Sequence, residues 1–389
     1  MIDAKNDTAP QKTEPETPDP VADESIGISE AEQQEKLKQT VKYSCSPGLL
    51  GFLHNQKAVF AISSYQSGRF YLVGRAPKGG MMINERFFRK AMGIQVSPDG
   101  SSILLATLFQ LLKFENVLNE GQYINNVFDR CFVPRVTYTT GILDAHDIGA
   151  MDDGRIVFVN TRFNCLAVAS ERHSFTPIWK PPFISKIVDE DRCHLNGMAL
   201  EKGKPRYVTA VSQSDTVDGW RDRRTDGGVV VDVDTNSVVC EGFSMPHSPR
   251  LHQGKLWVLN SGTGELGWVE LGANAKAAKF HPIIFCPGFV RGLSFHGKFA
   301  FVGLSKPRYE RFEGLALDDR LKKTDSEPWC GVQVIDLEKG TCAHWFRIDG
   351  PVAELYDVGV VPNASCAMSL GFATQEILQL ITHDELKGL

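Results

Sequence analysis

Residues 146–160 read HDIGAMDDGRIVFVN: a polar pair, a short apolar run, an Asp-Gly turn and a β-branched strand. Asp-Gly supplies the positive φ that a tight hairpin requires. The same plan recurs as GLLGFLHNQKAVFAIS (48–63), MGIQVSPDGSSILLAT (92–107) and NGMALEKGKPRYVTA (196–210). It returns as HSPRLHQGKLWVLN (247–260), RGLSFHGKFAFVG (291–303) and DVGVVPNASCAMSLG (357–371). The spacing is about fifty residues, a little longer than a typical propeller blade repeat.

A third strand pattern follows each pair: RFYLVG, LLKFE, CLAVAS, GGVVVDVD, LGWVEL, GVQVIDL and EILQLI. A fourth, such as FTPIWK or SVVCEGF, often comes next. Four antiparallel strands per unit without long helices make a propeller blade. The fold class expected is therefore all-β, a single β-propeller of seven four-stranded blades over residues 41–389. Seven hairpins in register, with no Pro-Gly-Ser linker between 41 and 382, favour this over a β-sandwich or two smaller domains. Residues 41–45 read as the outer strand of the last blade, closing the ring and removing its open edge.

Residues 1–40 have a different composition. MIDAKNDTAPQKTEPETPDPVADES is rich in Asp, Glu, Pro and Thr and poor in large apolar residues, so a disordered acidic tail is expected. SEAEQQEKLKQ (29–39) reads as a short exposed helix. The start lacks a signal-peptide pattern, and no run of about 18 apolar residues suggests a membrane span. Nine scattered cysteines without a CxxC pair point to reduced thiols and a cytoplasmic location. A net charge of −5 gives no reason to expect nucleic acid or an anionic membrane as partner. A hydrophobic content of 42% is enough for a sizeable core.

In a blade the first strand lines the central channel, so residues starting the first strands ring its mouth. These starts carry His146 with Asp147, His194 with Asn196, His247 with Arg250, then Arg291, and Tyr356 with Asp357; Leu50 and Met92 hold the first two places. Three imidazoles and a carboxylate suit a divalent transition metal (Zn, Mn or Fe) with an open position. The same ring without metal offers histidine acid–base chemistry and arginines for an oxyanion or carboxylate. A third reading is a polar lining for a water-filled pore.

Two long loops join second to third strands, at 212–228 and 304–331, and both are expected on the histidine face. Loops of that length in compact domains are commonly functional lids or disordered. Trp220 in the first, Arg308 and Tyr309 in the second, and Arg162 in the shorter NTRFN loop are candidate ligand contacts. No GxGxxG, Walker, GxSxG or HExxH motif occurs, so no nucleotide cofactor is expected. GTGELG at 262–267 joins two strands and reads as a hairpin turn.

The segments DAHDIG, HLNGMAL, MPHSPRLHQGKLWVLNSGTGELG, PGFVRGLSF and LYDVGVVP resemble a bacterial family of conserved hypothetical proteins of unknown function. Some of its members are fused to tetratricopeptide repeats. The resemblance covers about residues 44–382 and implies one domain of bacterial origin, without an activity. Two functions stand side by side. One is a pore-centred hydrolase, lyase or isomerase for a small polar or anionic metabolite. In it His146, His194 and His247 bind metal or move protons, and Asp147 or Asp357 orients a histidine or completes the coordination. Asn196, Arg250, Arg291 and Tyr356 hold substrate. The other is a non-catalytic propeller that binds a ligand, or a protein partner through its loops or tail.

Overall fold

Inner strands Ala145–Ala150, Leu195–Glu201, Pro246–His252 and Phe289–His296 each start a blade and pair in order with the strands that follow them. The computed structural model describes residues 41–307 and 311–383. The acidic segment, the helix expected at 29–39, Arg308 and Tyr309 lie outside the described residues.

Among the described residues the blades number six, not seven. The segments at 48–63 and 357–371, read from sequence as two units, do not make two blades: their strands Ala58–Ser64 and Asp357–Pro362 belong to one and the same blade. Leu49–Gln56 is an α-helix, α1, with Leu49 and Leu53 buried four residues apart on one side. Phe52 meets Phe299 edge-on, with ring centroids 4.8 Å apart. A helix cannot serve as an inner strand, and Leu50 therefore does not line the channel. The vacant place is filled from the other end of the chain: Asp357–Pro362 pairs with Ala58–Ser64, from Asp357 opposite Ser63 to Pro362 opposite Ala58. EILQLI is not a strand either, because Gln375–Leu378 is a 3₁₀ turn.

Both chain ends reinforce this junction. Lys42–Cys45 adds a fifth strand outside Thr341–Asp349, on the blade that starts at Phe289, rather than closing the blade of Asp357 as expected; the ring is closed instead by Asp357–Pro362. Ala367–Ser369 runs parallel to Arg130–Thr139 at the outer edge of the neighbouring blade. Between blades, the core is continuous apolar packing, for example Phe70, Phe88, Phe114 and Phe132 in one cluster.

Around the channel the inner strands are stitched by a repeated contact in alternate blades. Asp357 accepts the Ile94 N–H (2.8 Å), Asp147 the Met198 N–H (2.9 Å) and Ser248 the Gly292 N–H (3.0 Å). The approach is close enough that a Cβ on Gly292 would sit 2.7 Å from the Asp357 Cα, and its φ of +83° independently favours glycine.

Candidate active site

His146 and His247 are built by the same local device. The residue two positions earlier, Asp144 or Met245, is in the left-handed region, at φ 48° and 49°. Its carbonyl lies 2.9 Å from the imidazole Nδ1 in both cases. A hydroxyl from the adjacent strand end also meets Nδ1: Thr161 at 2.8 Å for His146, Ser261 at 3.0 Å for His247. Those hydroxyls donate their own hydrogens to the next blade, Thr161 to the Leu195 carbonyl and Ser261 to the Val290 carbonyl. Both acceptors at Nδ1 therefore require the proton there, which leaves Nε2 as a lone pair in the neutral ring.

His194 reaches the same tautomer differently. Both oxygens of Asp191 hold it, one accepting its backbone N–H (3.0 Å) and the other facing Nδ1 at 2.6 Å. This grip maintains His194 at φ 52°, a conformation that costs of order 1 kcal/mol or more. Burial, then the neighbouring His194 and Arg291, hold His146 well below the ordinary imidazole pKa. Burial and Arg291 do the same to His247.

These rings form a file. Tyr356 and His146 have centroids 5.4 Å apart, His146 and His194 5.0 Å, and His194 stacks on Trp220 at 4.2 Å. Arg291 lies 4.6 Å over the Tyr356 ring and places a terminal nitrogen 3.2 Å from His247 Nε2. A cation thus occupies the face of His247 that a metal would need. Among the described residues no group of three or more His, Cys, Asp or Glu side chains stands together to hold a metal ion. The donor set does not fit the three-imidazole centre expected from sequence.

Arg250, Asp147 and Asp357 also differ from expectation. Arg250 donates to both oxygens of Asp147 (2.6 and 3.1 Å) and lies 3.8 Å from Asp357. The two carboxylates also accept the interblade and adjacent backbone N–H groups. These three side chains plug and brace the channel, and none of them is hydrogen-bonded to a histidine among the described residues. Burial raises the Asp357 pKa, with Arg250 opposing and Asp147 adding to the rise.

Two spaces lie above the plug. A chamber of about 10 Å³, scarcely more than one water, is bounded by the plug, Asn196, His247, Arg291 and Tyr356. A cavity of about 550 Å³ opens over it, reached by His146, His194, Trp220, Arg291 and Tyr356 and walled by both long loops. Those loops carry the 3₁₀ turn Arg221–Arg223 and the helix Ala316–Lys323, α2, and they pack together through Trp220, Phe312, Leu315 and Leu317. Carboxylates also line the cavity: Asp144, Glu354, Asp191 bonded to His194, and Glu313 facing Arg311. Several buried polar atoms have no partner among the described residues, namely Tyr356 Oη, Arg291 Nε, Asn196 Nδ2 and Trp220 Nε1.

Residues 47–370 match the model of a family described as a domain of unknown function (DUF4915). The chain belongs to that family. Nothing in the match supports a tetratricopeptide fusion for this DUF4915 protein. No curated protein sequence matches it. Among solved structures it is similar to a chain of a nidogen/laminin complex, at 10% identity and a TM-score of 0.48, over 79% of this chain and 99% of that one. It is also similar to a PQQ-bound aldose sugar dehydrogenase from Streptomyces coelicolor (13%, TM-score 0.43, 79% and 99%). A third is a virginiamycin B lyase from Staphylococcus aureus (9%, TM-score 0.35, 80% and 99%). Enzymes thus occur among these structures, but likenesses this distant carry no argument about activity.

Of the remaining expected contacts, Trp220 lines the cavity and Asn196 the small chamber. Arg162 is instead paired with Asp189, its Nη2 donating at 2.9 Å, and is absent from both linings. Asp191, Thr161 and Ser261 carry roles that sequence reading missed. Asp191 had a visible signal, an acid three residues before a histidine. The two hydroxyls had none, since their roles arise from strand pairing. Among the described residues, no helix is long and apolar enough to cross a membrane.

Proposed function

We propose that this DUF4915 propeller is a histidine-based proton-transfer enzyme for a small anionic metabolite, of hydrolase, lyase or isomerase type. The observation that carries the reading is the floor of the 550 Å³ cavity, where Arg291 and Tyr356 bring partnerless donor atoms beside imidazoles whose Nδ1 atoms are engaged, leaving Nε2 as the acceptor. Buried donors without acceptors cost roughly 1–3 kcal/mol each, and a carboxylate or developing oxyanion offsets that cost.

His194 is the base in this reading. Asp191 orients it and stabilises the imidazolium that forms when Nε2 takes a proton, as a carboxylate does for a catalytic histidine. Arg291 and Tyr356 bind the substrate's acid group and stabilise charge that develops next to it. His146, kept neutral by burial and its neighbours, accepts a hydrogen bond from substrate through Nε2.

The test is a mixture of small 2-oxo, 2-hydroxy and unsaturated carboxylic acids incubated with the protein in D₂O and followed by proton NMR. Wild type is expected to exchange a C–H proton or form product from at least one acid. His194→Gln should slow that by about 10²–10⁴-fold. Binding of acids with no exchange or turnover by wild type would leave a ligand-binding propeller and remove the enzyme.

A further inference from the structure

We propose that the ligand of this cavity is a two-ended anion, a small dicarboxylate, bound by one acid group at Arg291 and Tyr356 and by the other at Trp220. The inference rests on the cavity being the ligand site, and adds the class of molecule that fits it.

The ring file supplies the geometry. From Tyr356 through His146 and His194 to Trp220 the centroids step by 5.4, 5.0 and 4.2 Å. Each end of the file carries a donor buried by more than nine-tenths and lacking an acceptor among the described residues: Tyr356 Oη at one, Trp220 Nε1 at the other. Trp220 is fixed between His194, stacked at 4.2 Å, and the Arg221 guanidinium, 4.5 Å from its ring centre, and it contributes to the cavity wall.

Each end also has a cation. Arg291 lies over Tyr356. Arg224, in the same loop as Trp220, lines the cavity, donates through Nε to the Arg221 carbonyl (3.0 Å) and has no ion-pair partner among the described residues. A monoacid satisfies one end and leaves the other donor dry. A diacid satisfies both and lies across His146 and His194, so the proton-transfer groups face the carbons between its carboxylates. The donors at the two ends thus select for length as well as charge.

The experiment is calorimetric titration of the full chain with acetate and butyrate, and with the diacid series from malonate to adipate. Dicarboxylates are expected to bind more tightly than monocarboxylates, with one optimal chain length. Trp220→Phe keeps the stacked ring and removes the donor; it should weaken the best diacid about tenfold. The same change should cost acetate, which needs only one end, less than it costs the diacid, whereas Tyr356→Phe should weaken both classes. Equal binding of mono- and dicarboxylates, or a diacid preference that survives Trp220→Phe, would overturn the two-ended ligand while keeping the floor site. No carboxylate binding at all would overturn both.

Discussion

At the level of single residues, protons and charges give the sharpest expectations. His146 and His247 are held neutral in the fold, so each unfolded copy takes up a proton that the native one does not. Stability from these two groups is complete above the unfolded value near 6.5 and falls as pH drops below it, by about 1.4 kcal/mol per pH unit per site. Asp357 works the other way. Its raised pKa contributes stability at acid pH, lost as pH climbs from the unfolded carboxylate value to the folded one. Comparing urea unfolding of wild type and His247→Gln at about pH 7.5 and 5.5 isolates one histidine; the loss of stability between the two should be smaller in the variant by about 1.4 kcal/mol. An unchanged difference would show that His247 takes up its proton equally well in the folded and unfolded chain. Arg250 tests the plug. Arg250→Met leaves two buried carboxylates uncompensated and should cost about 3–5 kcal/mol, part of which returns when Asp147→Asn and Asp357→Asn are added. The histidines were legible in sequence because hairpin register alone places strand starts at the channel. Arg250 was misread for the same reason. Register put it near the mouth, but it did not disclose that two aspartates from other blades would claim it.

Among the elements, α1 explains the miscounted blade. GLLGFLHNQ satisfies a strand-like apolar reading, yet Leu49 and Leu53 are also spaced for one side of a helix, and short apolar runs do not separate the two. What decides between them is tertiary: the inner-strand place is taken by Asp357–Pro362, whose pairing with Ala58–Ser64 spans nearly the whole chain. Leu53→Ala should cost about 2–4 kcal/mol in chemical denaturation if α1 is an integral support of the first blade. A change below 0.5 kcal/mol would make it an ornament. The two long loops were recognisable by length, and their shared face followed from strand alternation. Their mutual packing through Trp220, Phe312 and Leu317 was not recognisable, because it depends on how two loops from different blades meet.

For the molecule as a whole, the ring is complete only when residues from its far end join its beginning. A chain ending at Tyr356 lacks the inner strand of one blade and exposes the edge of Ala58–Ser64. It is expected to aggregate and to lose a cooperative thermal transition, and adding a peptide of residues 353–383 should restore both solubility and the transition. A soluble, cooperatively melting truncation would mean that the remaining blades close without it. During synthesis, the ribosome must pass Pro362 before the inner edge of Ala58–Ser64, whose other edge pairs with Arg69–Arg75, finds its partner, so earlier products present an unpaired edge for chaperones and proteases to recognise. Tyr356 and Asp357 arrive in that same late stretch. A prematurely terminated chain therefore lacks both its latch and Tyr356 from the cavity wall, so the order of translation itself ties completion of the cavity to closure of the ring.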